Sequence, residues 1–360
     1  MNSLEKNIVW LNMFEGLTLR KKEEIIKLYG ADCDIRKSFY TRPQLKQIVS
    51  KMDYARMENL LDDFSFNREL DEYEKLGVKL VFRHSPEYPK LLLEIDSPPL
   101  CLYCKGNIQL LNTKCVAIVG TRRPTEYGMV VTKQYVKELV KHNITIVSGL
   151  AQGIDTIAHN EALANYGNTI AVIAGGFNHI YPKSNSALAR RMYESNLIIC
   201  ENRPSCLPHA YLFPIRNRIV AGLSEAVLIP EAGVNSGTMH TKNYAIDYGR
   251  DLFVVQGKIT SPQSQGTNAI IKEFPLSITT EPDDILHALH VDLEEISKNS
   301  GVQLDFNAQS VLDYIHSEKK TFQEIADYTG MAVNELNALL FELEMEGLIT
   351  KLSNNSYIKV

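Results

Sequence analysis

The chain has 360 residues, 44% of them hydrophobic and 22% charged, with a formal net charge of −5. This is an ordinary globular profile, long enough for two or three domains; it argues against a basic coat over the whole surface, though not against a local basic groove. No apolar run approaches the ~18 residues that span a bilayer and the polar start does not read as a signal peptide, so a cytoplasmic location without membrane contact is expected. Six cysteines are too few for a disulfide framework. Cys101 and Cys104 form a C-x-x-C inside a strand-like stretch with no second pair at zinc spacing, which predicts reduced, structural thiols.

Residues 1–70 show helical spacing only: Val9, Leu11, Phe14, Leu17, Ile25, Ile26 and Leu28, then a second group from Leu45 to Leu61. Gly16 and Gly30 punctuate them, predicting a small bundle of sterile-alpha-motif or helix-hairpin-helix type. Two readings stand: a helical cap packed on the next domain, or a direct DNA contact.

Across residues 71–292 the pattern changes to short apolar runs separated by helix-length segments. The runs are Val78–Phe82, Leu100–Tyr103, Cys115–Val119, Thr145–Val147, Thr169–Ile173, Leu197–Cys200, Ala226–Ile229 and Leu252–Val255. This alternation predicts a doubly wound α/β domain with a mostly parallel sheet, whose ligands sit beyond the carboxyl ends of the strands. The turns at Gly120, Gly149, Gly175–Gly176 and Gly233–Gly237 should gather on that edge.

A polar connector over 293–303 reads as a linker. Residues 304–360 carry three amphipathic helices, with Thr321 and Glu324 spaced as a capping box, Gly347 ending the third helix and Leu348–Val360 able to form a two-stranded wing. That is a winged-helix pattern. From residue 306 onward there are eight acidic residues against four lysines, and the third helix has no Lys or Arg.

Four polar groupings in the central domain could carry chemistry. The first is Gly120, Thr121, Arg122 and Arg123, between an apolar strand and a helix; a helix N-terminus offers free N–H groups and about half a positive charge, so phosphate is its natural ligand. A capped surface turn is the plainer reading, and Arg122 rather than Arg123 is the expected contact. The second runs from Ser148 and Gly149 to Asp155 and His159, which share a helix face and are expected to form a structural hydrogen-bonding pair. The third is Phe213-Pro214-Ile215-Arg216-Asn217-Arg218: an aromatic for base stacking beside two arginines for phosphate. Its plain alternative is a core phenylalanine with solvated arginines. The fourth is the loop through Ser236, Gly237 and Thr238, suited to phosphate or sugar.

No phosphate-binding G-x-x-x-x-G-K-[ST], dinucleotide G-x-G-x-x-G, nucleophile-elbow G-x-S-x-G or metal-binding carboxylate cluster is present. Binding therefore fits better than turnover, and no cofactor or metal is called for.

Taken together, G-T-R-R-P-T-E-Y-G (120–128), S-G-L-A-Q-G-I-D-T-I-A-H (148–159), T-I-A-V-I-A-G-G with Y-P-K-S-N (169–185), F-P-I-R-N-R-I-V-A-G-L-S (213–224), E-A-G-V-N-S-G-T (231–238) and G-R-D-L-F-V-V-Q-G (249–257) make the chain resemble the DNA-processing protein A (DprA, or Smf) family. The resemblance implies an extended Rossmann fold that dimerises through that domain and binds single-stranded DNA. It further implies a recombination mediator that protects incoming single strands and loads the RecA recombinase during natural transformation. By motif, Gly120, Thr121 and Arg122 would form the phosphate turn, Ser148 and Gly149 its neighbour, and Lys183 a further contact. Phe213 would stack a base, with Arg216 and Arg218 at the backbone and Asn217 supporting them. The chain has Ala210 where members often have lysine, Cys200-Glu201 where Ser-Glu is usual, and Gln256 where proline is common. The alternative is a related Rossmann hydrolase of nucleoside monophosphates, but Gly237-Thr238 is followed by Met239, His240 and Thr241 rather than by the carboxylates that chemistry needs.

Overall fold

The short apolar runs become the strands of one nine-stranded sheet in the computed structural model, which describes residues 1–291, 306–315, 319–345, 348–352 and 356–359. The strands are β1 (Lys79–Phe82), β2 (Cys101–Gly106), β3 (Cys115–Ile118), β4 (Thr145–Ser148), β5 (Thr169–Val172), β6 (Leu197–Cys200), β7 (Ala226–Ile229), β8 (Asp251–Val255) and β9 (Ile278–Thr279). The α-helices around them are α1 (Ser3–Asn12), α2 (Leu19–Tyr29), α3 (Leu45–Ile48), α4 (Lys51–Glu58), α5 (Asp63–Lys75), α6 (Lys90–Leu93), α7 (Glu126–Lys141), α8 (Ile154–Ala164), α9 (Ser186–Ser195), α10 (Leu212–Gly222), α11 (Thr238–Asp247), α12 (Gln265–Glu273) and α13 (Asp283–Ala288).

Every residue of β3 to β7 is buried, as continuous apolar strands require when helices cover both faces of a parallel sheet. The order is β1-β2-β6-β5-β4-β3-β7-β8-β9, parallel from β6 to β9. β2 joins antiparallel to β6 and β1 antiparallel to β2. The chain steps outward from β3 through β4 and β5 to β6, then returns to the other side of β3 at β7. The reversal leaves a crevice beyond the ends of β3 and β7, the place where doubly wound sheets hold ligands. This is the doubly wound arrangement that the strand pattern predicts and the extended Rossmann fold that the family resemblance implies.

The period-two alternation of the strands sorts side chains to two faces. Cys101, Tyr103, Ala171, Ile173, Ile198 and Cys200 join one core, while Leu102, Cys104, Ile170, Val172, Leu197 and Ile199 join the other. The first core also contains Trp10, Phe14, Phe39 and Tyr73 from the N-terminal helices. Trp10 is fully buried and donates its indole N–H to the Leu60 carbonyl at 2.7 Å. The helical part runs on to Lys75 and shares this core with the sheet, so residues 1–291 form one compact unit. Side-chain caps start its helices: Asn2 and Glu5 make a capping box on α1, and Thr18, Ser50 and Asp62 cap α2, α4 and α5.

The second unit, residues 292–360, has helices Phe306–Tyr314, Phe322–Thr329 and Val333–Met345 around a small core with Val311, Ile325, Leu336 and Leu340. The expected capping box is present: Glu324 N–H donates to Thr321 Oγ1 at 3.3 Å and Thr321 N–H to Glu324 Oε2 at 2.7 Å. The expected two-stranded wing gains a third strand, because Lys320–Thr321 pairs with Ser356–Lys359, which pairs in turn with Ile349–Leu352. The linker expected at 293–303 and the helix stop at Gly347 lie outside the described residues.

Candidate functional site

Three turns meet at the β3/β7 crevice. Gly120 follows β3, Gly149 follows β4, and residues 233–237 follow β7; they line a cleft of about 880 Å³. The first turn is fastened from below. Thr121 N–H donates to the Glu231 carbonyl at 2.8 Å, and the Glu231 carboxylate accepts from Thr125 N–H at 2.7 Å and Thr125 Oγ1 at 2.6 Å. Thr125 is also the N-cap of α7. Gly153, at φ +79°, lets the next turn pass so close that a Cβ would lie 2.3 Å from the Thr121 carbonyl oxygen.

Arg122 and Arg123 are exposed and both line the cleft. The Arg122 guanidinium carbon stands 6.0 Å from the centroid of the Phe213 ring, within cation–π range. Tyr181 meets the same ring edge-on at 5.6 Å and an interplanar angle of 70°. Phe213 is half-buried at the start of α10, an aromatic face held between an arginine and a tyrosine. Ser236 Oγ and Thr238 Oγ1 lie 2.8 Å apart across the N-terminus of α11, and Asn217 Nδ2 donates to the Gly237 carbonyl at 3.4 Å.

Arg216 forms the floor. It is 7% exposed, and its Nη1 donates to the Gly149 carbonyl at 2.5 Å and to the Val172 carbonyl, while Nε donates to Asn217 Oδ1 at 3.1 Å. This side chain ties the ends of β4 and β5 together. A Cβ on Gly149 would sit 2.5 Å from Arg216 Nη2, so only glycine admits the guanidinium there. Burial lowers the Arg216 pKa to about 10, with Asp155 opposing and Arg122 adding to that shift, so it stays charged at neutral pH. Burial raises the pKa of Asp155, against the pull of Arg216 and of the Gly149 and Ala151 N–H groups that donate to its carboxylate.

The structure therefore brings together Gly120, Thr121, Arg122, Gly149, Phe213, Arg216, Asn217, Ser236, Gly237 and Thr238. Three sequence candidates fall elsewhere. Ser148 is fully buried with its hydroxyl donating to the Ile118 carbonyl at 2.6 Å. Lys183 is exposed on a short turn off the cleft, and Tyr181, two residues earlier, is the one that lines it. Arg218 corrects the expectation of a backbone contact: two residues beyond Arg216, about 200° around the axis of α10, it turns to Glu201, where its Nη2 donates to both carboxylate oxygens at 2.6 Å. Asp155 and His159 do not pair with each other either; His159 Nδ1 lies 2.7 Å from Thr169 Oγ1. Sequence reasoning missed Tyr181, Asn235 and His240, and it expected Arg122 rather than Arg123 at a cleft that both line. The tyrosine had a signal, an aromatic in the quoted Y-P-K turn, but its distance in sequence from Phe213 concealed the contact.

Among the described residues lining the cleft, Asp155 is the one carboxylate, facing Arg122, Arg123 and Arg216. The cleft is thus positive in a chain of net charge −5. Cys101 and Cys104 are buried free thiols, and no group of three or more metal-ligating side chains occurs among the described residues.

Residues 79–290 match the family model described as DNA recombination-mediator protein A, and residues 295–355 match that of the DprA winged helix domain. DNA processing protein DprA of Bacillus subtilis (strain 168) is 36% identical over 247 residues, covering 68% of this chain and 83% of that protein. The X-ray structure of DprA from Streptococcus pneumoniae superposes with a TM-score of 0.67 at 31% identity, covering 78% of this chain and 97% of that one. A Helicobacter pylori DprA structure, described as giving the single-stranded DNA binding mode of that protein, has a TM-score of 0.54 at 33% identity and covers 59% of this chain and 95% of that one. These are relatives of a recombination mediator rather than of an enzyme. The chain belongs to the DNA recombination-mediator protein A family.

Proposed function

We propose that the protein binds single-stranded DNA in the cleft beyond β3 and β7, protects the incoming strand and loads the RecA recombinase onto it during natural transformation. The observation that carries this is the Arg122–Phe213–Tyr181 cluster. An exposed cation over an aromatic face offers phosphate attraction and base stacking side by side, and that combination suits a flexible single strand whose bases are free. The turns at Gly120–Arg122 and Ser236–Thr238 supply further donors, and Asn217 and Arg216 hold the floor on which they stand. The protein acts in the cytoplasm as a homodimer formed through the Rossmann domain, in keeping with the family resemblance. No helix among the described residues is long and apolar enough to cross a membrane.

The hydrolase reading fares worse. Asp155 is buried and occupied by two backbone N–H groups, and Glu231 is occupied by Thr125, so neither is free to activate water at the cleft. The winged helix is a poor phosphate reader, because its third helix carries glutamates and no basic residue. Its partner is a protein surface or the other half of the dimer.

The test is affinity for a single-stranded oligonucleotide against its duplex, from low to high salt, followed by RecA filament assembly on the bound strand. Preference for the single strand, with loss of affinity as salt rises, is the expected result. Equal binding of duplex, or release of base from a nucleoside monophosphate, would overturn the reading.

A further inference from the structure

Helix α10 has a second lined face. Phe213, Asn217 and Val220 look into the first cleft, Leu212, Ile215, Arg218 and Ile219 line a second cavity of about 460 Å³, and Arg216 lines both. The far wall comes from the helical cap, through Asn12, Leu17, Thr18 and Lys22, and the base from Ile173, Glu201 and Asn202 at the ends of β5 and β6. Small-molecule sites have about this size, ~300–1,000 Å³, with apolar walls and a few converging polar groups. This cavity has that make-up, and nothing in the binding of a strand by the first cleft uses it.

Its charges do not balance within the walls. Glu15 and Glu201 both line it, but Glu15 lies 3.6 Å from Arg203, and Glu201 takes two bonds of 2.6 Å from Arg218. Lys22 donates to Asn12 Oδ1, a neutral amide, at 2.8 Å. It makes no ion pair with any described residue; Glu201 acts on it from beyond contact range. Arg218, 5% exposed, keeps a buried Nη1 with no hydrogen-bond partner. A half-buried ammonium without an ion-pair partner and a buried guanidinium N–H without an acceptor are both costly, and such groups call for a partner. Both side chains line the cavity, so an anion inside it would meet two cationic walls.

We propose that this second cavity binds a small organic anion, its carboxylate or phosphate held by Lys22 and Arg218 and its apolar body packed against Leu17, Ile173 and Ile215. The two headgroups share the chemistry that these donors recognise, and the assay separates them. The full chain is titrated calorimetrically with phenyl phosphate, benzoate and inorganic phosphate. One of the two organic probes saturates a single site per chain, and the tighter of them identifies the headgroup. Inorganic phosphate binds at least tenfold more weakly, for want of an apolar body. Lys22→Met weakens the organic probe at least tenfold, Lys22→Arg restores most of the affinity, and Arg122→Ala in the first cleft leaves it unchanged. Ile215→Trp fills the cavity from a position that is 43% exposed and tolerant of change, and it abolishes binding even if Lys22→Met does not fold. The proposal is overturned if neither organic probe binds saturably, if binding survives Lys22→Met or Ile215→Trp, or if it is lost in Arg122→Ala, which would place the probe in the first cleft.

Discussion

Arg122 and Phe213, 91 residues apart in the chain, meet face to charge across the cleft, with the guanidinium carbon 6.0 Å from the ring centroid. They do different work on a strand, and salt separates them. Arg122→Ala removes a phosphate contact, so the slope of log affinity against log salt should shallow by ~0.7 for a single strand. Phe213→Ala should weaken binding by about 1–3 kcal/mol, the value of one stacked base, with little change of slope. Fluorescence anisotropy at several salt concentrations reads both. If the two variants altered slope and intercept alike, the division of labour would be wrong.

Arg216 should behave as a building part rather than as a phosphate hook. Its guanidinium is buried and bonded to the carbonyls at the ends of β4 and β5. Each buried polar group left unpaired costs ~1–3 kcal/mol, so Arg216→Ala should lower the stability by several kcal/mol. Gly149→Ala pushes a methyl to 2.5 Å from the same guanidinium and should cost about 1–3 kcal/mol by overpacking. Denaturant midpoints give the values. A fully stable Arg216→Ala chain that lost only salt-dependent binding would return Arg216 to the strand's backbone.

The strand runs and their order in chain were legible because a parallel sheet covered on both faces demands continuous apolar segments, and residues 115–118 or 197–200 can hardly be read otherwise. The glycine turns followed from the same logic. What sequence spacing could not show is where side chains point once helices pack. Arg216 and Arg218 are two apart on α10, about 200° around the helix axis, so one lies under the cleft and the other faces Glu201. Tyr181 reaches Phe213 through tertiary packing alone. The antiparallel β1 and β2 were equally hidden, since strand direction leaves no mark on a four-residue apolar run.

A chain ending at residue 291 should keep its single-strand affinity. Every described residue lining the cleft lies between positions 119 and 263, inside the compact unit that ends at Val291. An affinity within about threefold of the parent, or ~0.7 kcal/mol, is expected in the same anisotropy assay. A collapse of affinity with the fold intact by circular dichroism would move the binding site into the C-terminal unit.

His159 should make the fold acid-sensitive. Thr169 Oγ1 donates to the Ile146 carbonyl at 2.8 Å, so it accepts from His159 Nδ1–H at 2.7 Å, leaving the buried Nε2 bare and without a partner. Burial first, and Arg216 second, lower its pKa to about 3. The ring is therefore neutral in the fold, whereas in the unfolded chain it protonates near ~6.5. The unfolded state then binds the extra proton: the stability His159 allows is complete above ~6.5 and is lost as pH falls from there towards 3. At ~1.36 kcal/mol per pH unit, the drop from pH 6.5 to 4 should be about 3 kcal/mol. Asp155, with its pKa raised, works the other way near pH 4, where its burial cost is relieved, but it is common to both chains when the parent is compared with His159→Gln. The denaturant midpoint of the parent should fall more steeply than that of the variant between pH 7 and 4. Parallel curves would mean that His159 gains a proton in the fold as easily as in the open chain.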